Sequence, residues 1–461
     1  MSLKHYQLVV IGSGSGGRAA ALVAAQNGLK VLLIEKDTLG GTCLHRGYYP
    51  IRALRACAEA TKDRYLSAKF GIEIAGVETG FQNWLTIQRR VSARLTQELR
   101  NQLEKAGVEI RFAAASFSQA NELRLTSRSG ETESIRTDYA ILATGSRPAF
   151  DDSTPNSPYE NSDGLLARTE VPQHLLIVGG GYIGCEFASI FKSLGSQVTL
   201  LEKRECLLPD WEQSLGEHIA ANLRSAGIEV HLGCEIDLSN PTERGSKQVV
   251  LPDTETRITP DLILVATGRK PNAENLGLEC LAIEAKPFVA VDNQLRTTSP
   301  TVFAIGDING LSLLDSAAVA QARIAVNAIL GKKEGFSARW IPKCVHTDPM
   351  IASIGWSQEE ADRAGLSAIA HSQTFRLVTE DERTVVTPLP TMVKILIQGE
   401  TGELLGVHVM GGQAAEIVNL ASVAIRAQLT LDQLLGVPFV HPSATEVFQQ
   451  CAKSLGQIAA G

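Results

Sequence analysis

The most constraining feature of this sequence is a glycine pattern that occurs twice. Near the start, Gly12-Ser13-Gly14-Ser15-Gly16-Gly17 follows an apolar run at 7–11 and precedes an alanine-rich segment at about 18–27, closed by Gly28. A second apolar run at 31–34 ends at Glu35, 18 residues beyond Gly17. In mid-chain, Gly179-Gly180-Gly181-Tyr182-Ile183-Gly184 follows Leu175-Leu176-Ile177-Val178 and leads a helical pattern to about residue 194. The run at 197–201 then ends at Glu202, again 18 residues past the last glycine. Apolar runs without polar alternation suit parallel strands buried on both faces, so each copy reads as strand, glycine turn, helix, strand. Each copy later meets a strand ending in Ala-Thr-Gly, at 143–145 and at 266–268. Such turns let the backbone approach a pyrophosphate at a helix N-terminus, and the acid accepts hydrogen bonds from a ribose. The duplication predicts an α/β chain with two Rossmann-like dinucleotide-binding domains. Gly12, Gly14, Gly17 and Glu35 would serve the first, and Gly179, Gly181, Gly184 and Glu202 the second.

At 461 residues the chain has room for about three domains. Forty-three basic against 50 acidic residues give a net charge of −7, which argues against a nucleic-acid or anionic-membrane partner. Eight cysteines in so long a chain make no disulfide framework and sit at no metal-ligand spacing, so no metal site is expected. Residues 1–6 run straight into a strand without a signal peptide, and no apolar run approaches the ~18 residues of a membrane span. A soluble, cytoplasmic protein is the expectation. Between the two glycine patterns, an amphipathic helix is expected over 81–106, with Trp84, Leu85, Ile87, Val91, Leu95, Leu99 and Leu103 on its apolar face. Strands follow at 109–112, 122–125, 134–136 and 139–142, then a polar, proline-bearing linker at 151–158. A strand at 301–305 ends in Gly306-Asp307 and precedes a helix at 315–330. The chain from about 341 reads as α+β, with strands at 392–397 and 404–408 and helices at 414–427 and 445–457.

The segment Gly40-Gly41-Thr42-Cys43-Leu44-His45-Arg46-Gly47-Tyr48-Tyr49-Pro50 resembles the redox-active stretch of the class I pyridine nucleotide-disulfide oxidoreductases. Lipoamide dehydrogenase, glutathione reductase and mercuric reductase belong to that family, and the resemblance covers essentially the whole chain. It implies an FAD-binding domain at 1–150 and 273–340, an NAD(P)-binding domain at 151–272, and a dimer-interface domain of a homodimer at 341–461. Gly306-Asp307 resembles the family segment whose aspartate bonds the flavin ribityl chain, which assigns FAD to the first glycine pattern and the nicotinamide to the second. The resemblance extends the flavin cradle to Lys36, Gly41, Thr42, Thr144, Gly145 and Leu314, and the nicotinamide cradle to Gly268.

One departure matters most. In the family the first thiol is followed, after four intervening residues, by a second cysteine that touches the flavin; here that position holds Tyr48. A phenol forms no disulfide, and its pKa near ~10 keeps it protonated at neutral pH. Cys43 itself, at a helix N-terminus, is expected to gain thiolate character. If that helix is continuous, Cys57 lies about 21 Å further along it at ~1.5 Å per residue, beyond the ~7 Å reach of a disulfide. Cys206, Cys234, Cys280, Cys344 and Cys451 read as buried apolar residues.

Three further positions carry over from the resemblance. Arg52 stands where the family has a lysine near the flavin N5 edge, keeping the charge with a different reach. Glu186 matches the glutamate that pairs with that lysine, so an Arg52–Glu186 ion pair is expected. His441-Pro442-Ser443-Ala444-Thr445-Glu446 matches a run in which the histidine is an acid/base oriented by the glutamate and reaches the neighbouring subunit's active site. Glu202 favours NADH, accepting from a 2′-hydroxyl and repelling a 2′-phosphate, although Lys203 and Arg204 could bind that phosphate. The expected activity is an FAD-dependent NAD(P)H oxidoreductase that delivers electrons directly to a small acceptor such as a quinone. Cys43, Tyr48 and Tyr49 would line its cavity, with His441 and Glu446 from the partner chain. A soluble pyridine nucleotide transhydrogenase, which also lacks the second cysteine, is an alternative. So are a disulfide or dihydrolipoamide dehydrogenase using a cysteine from elsewhere, and a non-enzymatic redox-sensing flavoprotein. A mercuric reductase is disfavoured, because residues 454–461 lack that family's C-terminal cysteine pair.

Overall fold

A computed structural model of the chain describes residues 3–69, 81–151, 157, 159–236, 249–251, 256–376 and 390–459. The linker expected at 151–158 lies outside the described residues, apart from Asp151 and Ser157. The chain forms two compact units, of which the first comprises Met1–Leu54, Gln82–Ala149 and Arg269–Ala338. Its sheet is centred on β1 (Lys4–Ile11), whose residues alternate between two cores, Leu8 and Val10 on one face and Val9 and Ile11 on the other. Burial on both faces is why the run carries no polar alternation.

Downstream of β1 come α1 (Ser15–Gln26) and β2 (Val31–Glu35), which pairs parallel to β1 with Ile34 opposite Ile11. The strand Thr132–Leu142 pairs parallel to the other edge, with Leu142 opposite Ile11, and Val302–Ala304 pairs beside its last residues. Its first half also pairs antiparallel with Glu122–Thr126, which in turn pairs with Ala114–Gln119. The sequence reading broke this strand at 137–138. Thr137 is in fact buried and its hydroxyl donates to the Tyr139 carbonyl at 2.6 Å, so the polar residue is accommodated and the strand runs on. α1 packs on the helix Asp315–Ile329 through small side chains, Ala20, Ala21 and Ala24 joining Ala322 and Ala325 in one core. In the helix Phe81–Lys105, Trp84, Leu85, Leu99 and Leu103 are buried as expected, but Ile87 is 53% exposed and lies off the buried face.

The helix assumed to run on from Cys43 is two helices. α2 (Gly41–His45) stops at Arg46, and α3 (Tyr48–Lys69) begins a residue after Gly47, so Tyr48 opens a new helix.

The second unit comprises Arg55–Phe81, Phe150–Gly268 and Arg339–Gly461 and holds two main sheets. The first repeats the plan of the N-terminal sheet: His174–Val178 lies at its centre, parallel to Gln197–Leu201 on one side and Leu262–Val265 on the other. The second is antiparallel, in the order Lys343–Val345, Met350–Gly355, Leu404–Gly411, Pro390–Gln398, Ala368–Arg376. Helices Ala414–Arg426 and Glu446–Ala459 cover it, burying Ile417, Val418, Phe448 and Cys451 with Val407 and Val409. Among the described residues no helix is long and apolar enough to cross a membrane, and no cluster of three His, Cys, Asp or Glu could hold a metal ion.

Candidate active site

The two glycine turns are built alike, residue for residue. At the end of β1, Gly12 turns with φ +100°, and a Cβ there would lie 2.4 Å from the Ala143 carbonyl oxygen; Gly179 repeats this with φ +112° and the Ala266 oxygen at 2.6 Å. Added side chains at Gly17 and Gly184 would strike the carbonyls of Gly12 and Gly179 at 1.8 and 1.9 Å, while Gly14 and Gly181 have nothing within 4 Å of an added Cβ. Each turn therefore presses against the end of the neighbouring strand and has open space beside its middle glycine. No side chain caps α1 or the helix Tyr182–Ser193, so their first-turn N–H groups face that open side.

The acids at the ends of the second strands match as well. Glu35 accepts the Ser13 N–H at 3.0 Å on one oxygen and the Asp37 N–H at 2.8 Å on the other. Glu202 accepts the Gly180 N–H at 2.6 Å and the Arg204 N–H at 2.9 Å in the same way. Both acids are buried; Glu35 also takes the Ser13 hydroxyl at 2.5 Å, and each still has acceptor capacity left for a ribose hydroxyl. Open glycine faces, uncapped helix starts and fixed buried carboxylates fit two dinucleotides. Lys36 is exposed next to Glu35, and the Arg204 guanidinium is drawn to Asp210 at 3.2 Å.

The Ala-Thr-Gly turn of the first unit is stapled to the returning chain. Thr144 Oγ1 donates to the Asn272 carbonyl at 2.7 Å, Asn272 Nδ2 donates to the Thr144 carbonyl at 2.8 Å, and the Asn272 N–H donates to the Gly145 carbonyl at 2.9 Å. In the second unit Gly268 holds φ +132° with open space around it. Gly306 begins a short 3-10 turn, its N–H bound to Gln321 at 2.7 Å, and Asp307 accepts from Ser146 Oγ at 2.5 Å with Arg269 Nε 3.8 Å away. Burial raises the Asp307 carboxyl above the ordinary range, against the pull of Ser146 and Arg269. Leu314 is the N-cap of the helix Asp315–Ile329, which also lacks a side-chain cap.

The redox segment docks on the first turn. The Gly40 N–H donates to Ser13 Oγ at 3.0 Å, and a side chain at Gly41 would lie 2.7 Å from the Gly14 Cα. Thr42 and Cys43 follow in α2, where the Thr42 carbonyl accepts the Arg46 N–H at 2.8 Å. The expected thiolate character of Cys43 is overturned. Burial, together with the charge and hydrogen bond of Asp315, pushes the thiol up to about 12, and Ser15 and Arg18 oppose this only in part. Ser15 Oγ donates to Asp315, so residues 15, 43 and 315 form one cluster. Tyr48 is 41% exposed, meets Tyr49 edge-to-face at 5.6 Å, and bonds through its hydroxyl to Arg52, one turn on, whose guanidinium sits 5.7 Å from the Tyr48 ring centre.

Within the second unit Glu186 meets His346. Its Oε1 accepts the His346 backbone N–H at 2.7 Å and lies 3.3 Å from His346 Nδ1, while Arg52 finds Tyr48 within its own unit. His441 Nδ1 lies 2.9 Å from Glu446 Oε1, and Glu446 also accepts the Ser443 N–H at 3.0 Å. These two bonds, the backbone one first, hold the Glu446 carboxyl below its ordinary value, and the His441 ring is 82% exposed. Sequence reasoning missed Asp315, Ser15, Arg55 and His346. For His346 the local signal was its spacing, two residues beyond Cys344 and just past the end of the strand Lys343–Val345.

The two cradles, the docked thiol segment and the carboxylate-bound histidine define a class. Residues 6–327 match the pyridine nucleotide-disulphide oxidoreductase family and residues 341–452 its dimerisation domain, so the chain belongs to that family of FAD- and NAD(P)H-dependent oxidoreductases. Among its relatives, a dihydrolipoyl dehydrogenase of Chlorobaculum tepidum is 32% identical over 97% of this chain and 96% of the relative. A second, from Geobacillus stearothermophilus, is 31% identical over 97% of this chain and 95% of the relative. Of solved structures, the HOCl-induced flavoprotein disulfide reductase RclA from Escherichia coli, as its Cu(II) complex, is 25% identical with a TM-score of 0.82, covering 98% of this chain and all of that one (100%). LpdA from Mycobacterium tuberculosis, 23% identical with a TM-score of 0.87 over 98% of this chain and 100% of its own, shares the fold.

Proposed function

We propose that the protein oxidises NADH and passes the electrons to a small acceptor such as a quinone without a disulfide relay. The observation that carries this reading is the redox segment: Tyr48 opens α3 where a second thiol would be needed, and Cys43 is held protonated beside Asp315. FAD, when bound, supplies the two-electron chemistry; the chain binds, orients and handles protons. Gly14, Gly17, Glu35, Gly306 and Asp307 would hold it, and Gly181, Gly184 and Glu202 the nicotinamide. NADH is favoured over NADPH because Glu202, at the end of its strand, would accept from a 2′-hydroxyl and repel a 2′-phosphate, and the Arg204 guanidinium lies 3.2 Å from Asp210. Tyr48 and Tyr49 offer flat apolar faces to an aromatic acceptor. His441, fixed by Glu446, is assigned as its proton donor from a second copy of the chain.

A second reading has a specific observation behind it. The relatives named above are dihydrolipoyl dehydrogenases, which favours disulfide chemistry and would need a second thiol. Anaerobic titration with NADH decides between the two. One equivalent should bleach the flavin without a thiolate–flavin charge-transfer band at long wavelength, and quinones should be turned over far faster than lipoamide. A charge-transfer band, or lipoamide turnover at the quinone rate, would reverse the assignment.

A further inference from the structure

Apart from the Cys43 segment, the second unit aligns a thiol, an imidazole and a carboxylate. Cys344 lies in the edge strand Lys343–Val345, the fully buried Val345 follows it, and His346 comes just past the strand's end. Cys344 Sγ lies 3.8 Å from His346 Nε2, and His346 Nδ1 lies 3.3 Å from Glu186 Oε1. That same oxygen accepts the His346 backbone N–H at 2.7 Å, which locks the carboxylate against the residue whose ring it orients. Arg55 adds a cation. Its Nε donates to Glu59 at 2.7 Å and its Nη2 to the Thr347 carbonyl at 3.1 Å, while Nη1 is buried with no partner among the described residues. The charge of Arg55 acts on the Cys344 sulfur, opposed by Glu186 and by Glu416 on the helix Ala414–Arg426. Cys344 is partly buried at the margin of the core under that helix, so only a small reagent can reach it.

A nucleophile, a base, a group that orients the base and an unfilled cationic donor are the parts of an activated thiol. We propose that Cys344 is a peroxide-reactive thiol, with His346 as its base and Glu186 as the residue that positions the base. The sulfur attacks one oxygen of a hydroperoxide, and the O–O bond breaks as the S–O bond forms. The thiol proton passes to His346 Nε2 and on to the departing oxygen, which leaves as water or alcohol. Sulfur gives up two electrons and the peroxide takes them, leaving a sulfenic acid in the field of the Arg55 cation. Burial, with Glu186 next, holds the resting thiol up at about 12, so the base is needed during attack rather than before it. This inference is independent of how the flavin passes on its electrons.

The test uses the full-length protein with its flavin, treated with hydrogen peroxide and dimedone at neutral pH, and every cysteine quantified by peptide mass spectrometry. Cys344 should label at least tenfold faster than the buried Cys185 and Cys451, a comparison that needs no variant. His346→Gln should slow Cys344 labelling at least tenfold at unchanged flavin content, and prior dithiothreitol should erase the label. Labelling of Cys344 at the Cys451 rate, or a His346→Gln rate equal to wild type, would show that the cluster only packs.

Discussion

A cysteine in the first turn of a helix gains from the dipole about 0.3–1 kcal/mol, less than a tenfold change in thiolate. At Cys43 the opposing influences are larger, lifting the thiol from 9.0 to about 12, and α2 is only five residues long. Burial is the greater cause and the Asp315 carboxylate the next, so the side chain at 315 decides how much nucleophilic thiol exists near neutrality. Replacing Asp315 with Ala removes both its charge and its hydrogen bond. The pH midpoint for alkylation of Cys43 by iodoacetamide, followed on its peptide, should then fall from about 12 toward the ordinary thiol value. Each 1.4 kcal/mol of relief multiplies the thiolate at pH 8 about tenfold. An unmoved midpoint would leave burial as the sole cause. The same cluster explains why a local sequence reading gave Cys43 the wrong sign: residues 15, 43 and 315 meet only through the fold.

Elements followed from sequence where a single periodicity decided them. β2 and Gln197–Leu201 are apolar throughout because both faces are covered, and the helix Asp315–Ile329 is marked at its start by the Gly-Asp turn. The breaks were harder. Gly47 divides α2 from α3 inside a stretch with no proline before Pro50, and Thr137 sits in mid-strand because its hydroxyl finds a carbonyl. Pairings such as Glu186 with His346, 160 residues apart, leave no local trace. The antiparallel sheet hides another. On Leu404–Gly411, His408 is 1% exposed, with Nδ1 2.8 Å from Ser353 Oγ and Nε2 2.9 Å from the Trp356 carbonyl. That carbonyl can only accept, so Nε2 carries a proton, and Nδ1 accepts from the Ser353 hydroxyl in the neutral ring. Burial lowers its pKa to about 4, and Glu212, 3.8 Å away, does not restore it. A depressed histidine contributes stability that is complete above about pH 6.5 and is lost as pH falls through 4, on the order of 3 kcal/mol. Glu212 adds to the same slope, because burial pushes it up but bonds from Lys394 and the Gln358 N–H hold it low. Thermal unfolding followed from pH 7 to pH 4 should show the wild-type midpoint falling steeply, and His408→Gln, though less stable at pH 7, should fall less. Parallel curves would mean that His408 does not carry the acid sensitivity.

For the molecule as a whole, the match of 341–452 to a dimerisation domain meets an independent observation on the surface of that region. Val423, Val437 and Val440, within that stretch, are 67%, 43% and 74% exposed, apolar side chains that a partner subunit could cover. In a two-fold dimer each such residue is buried twice, so a change at one position counts in both copies. Covering a valine is worth about 1.5–3 kcal/mol, and a charge in its place costs at least as much again in desolvation. Val440→Asp should therefore weaken association by about 3 kcal/mol or more per dimer, a hundredfold or greater rise in the dissociation constant. Sedimentation velocity across a concentration series measures this directly. Val440 immediately precedes His441, the proton donor assigned to a second copy. The separated variant should accordingly keep its flavin and still be bleached by NADH, yet lose turnover with a quinone in proportion to the monomer fraction. Full quinone turnover by a monomer would move the proton donor into the same chain and remove His441 from the acceptor site. A variant that stays dimeric at nanomolar concentration would instead place the interface elsewhere on the domain.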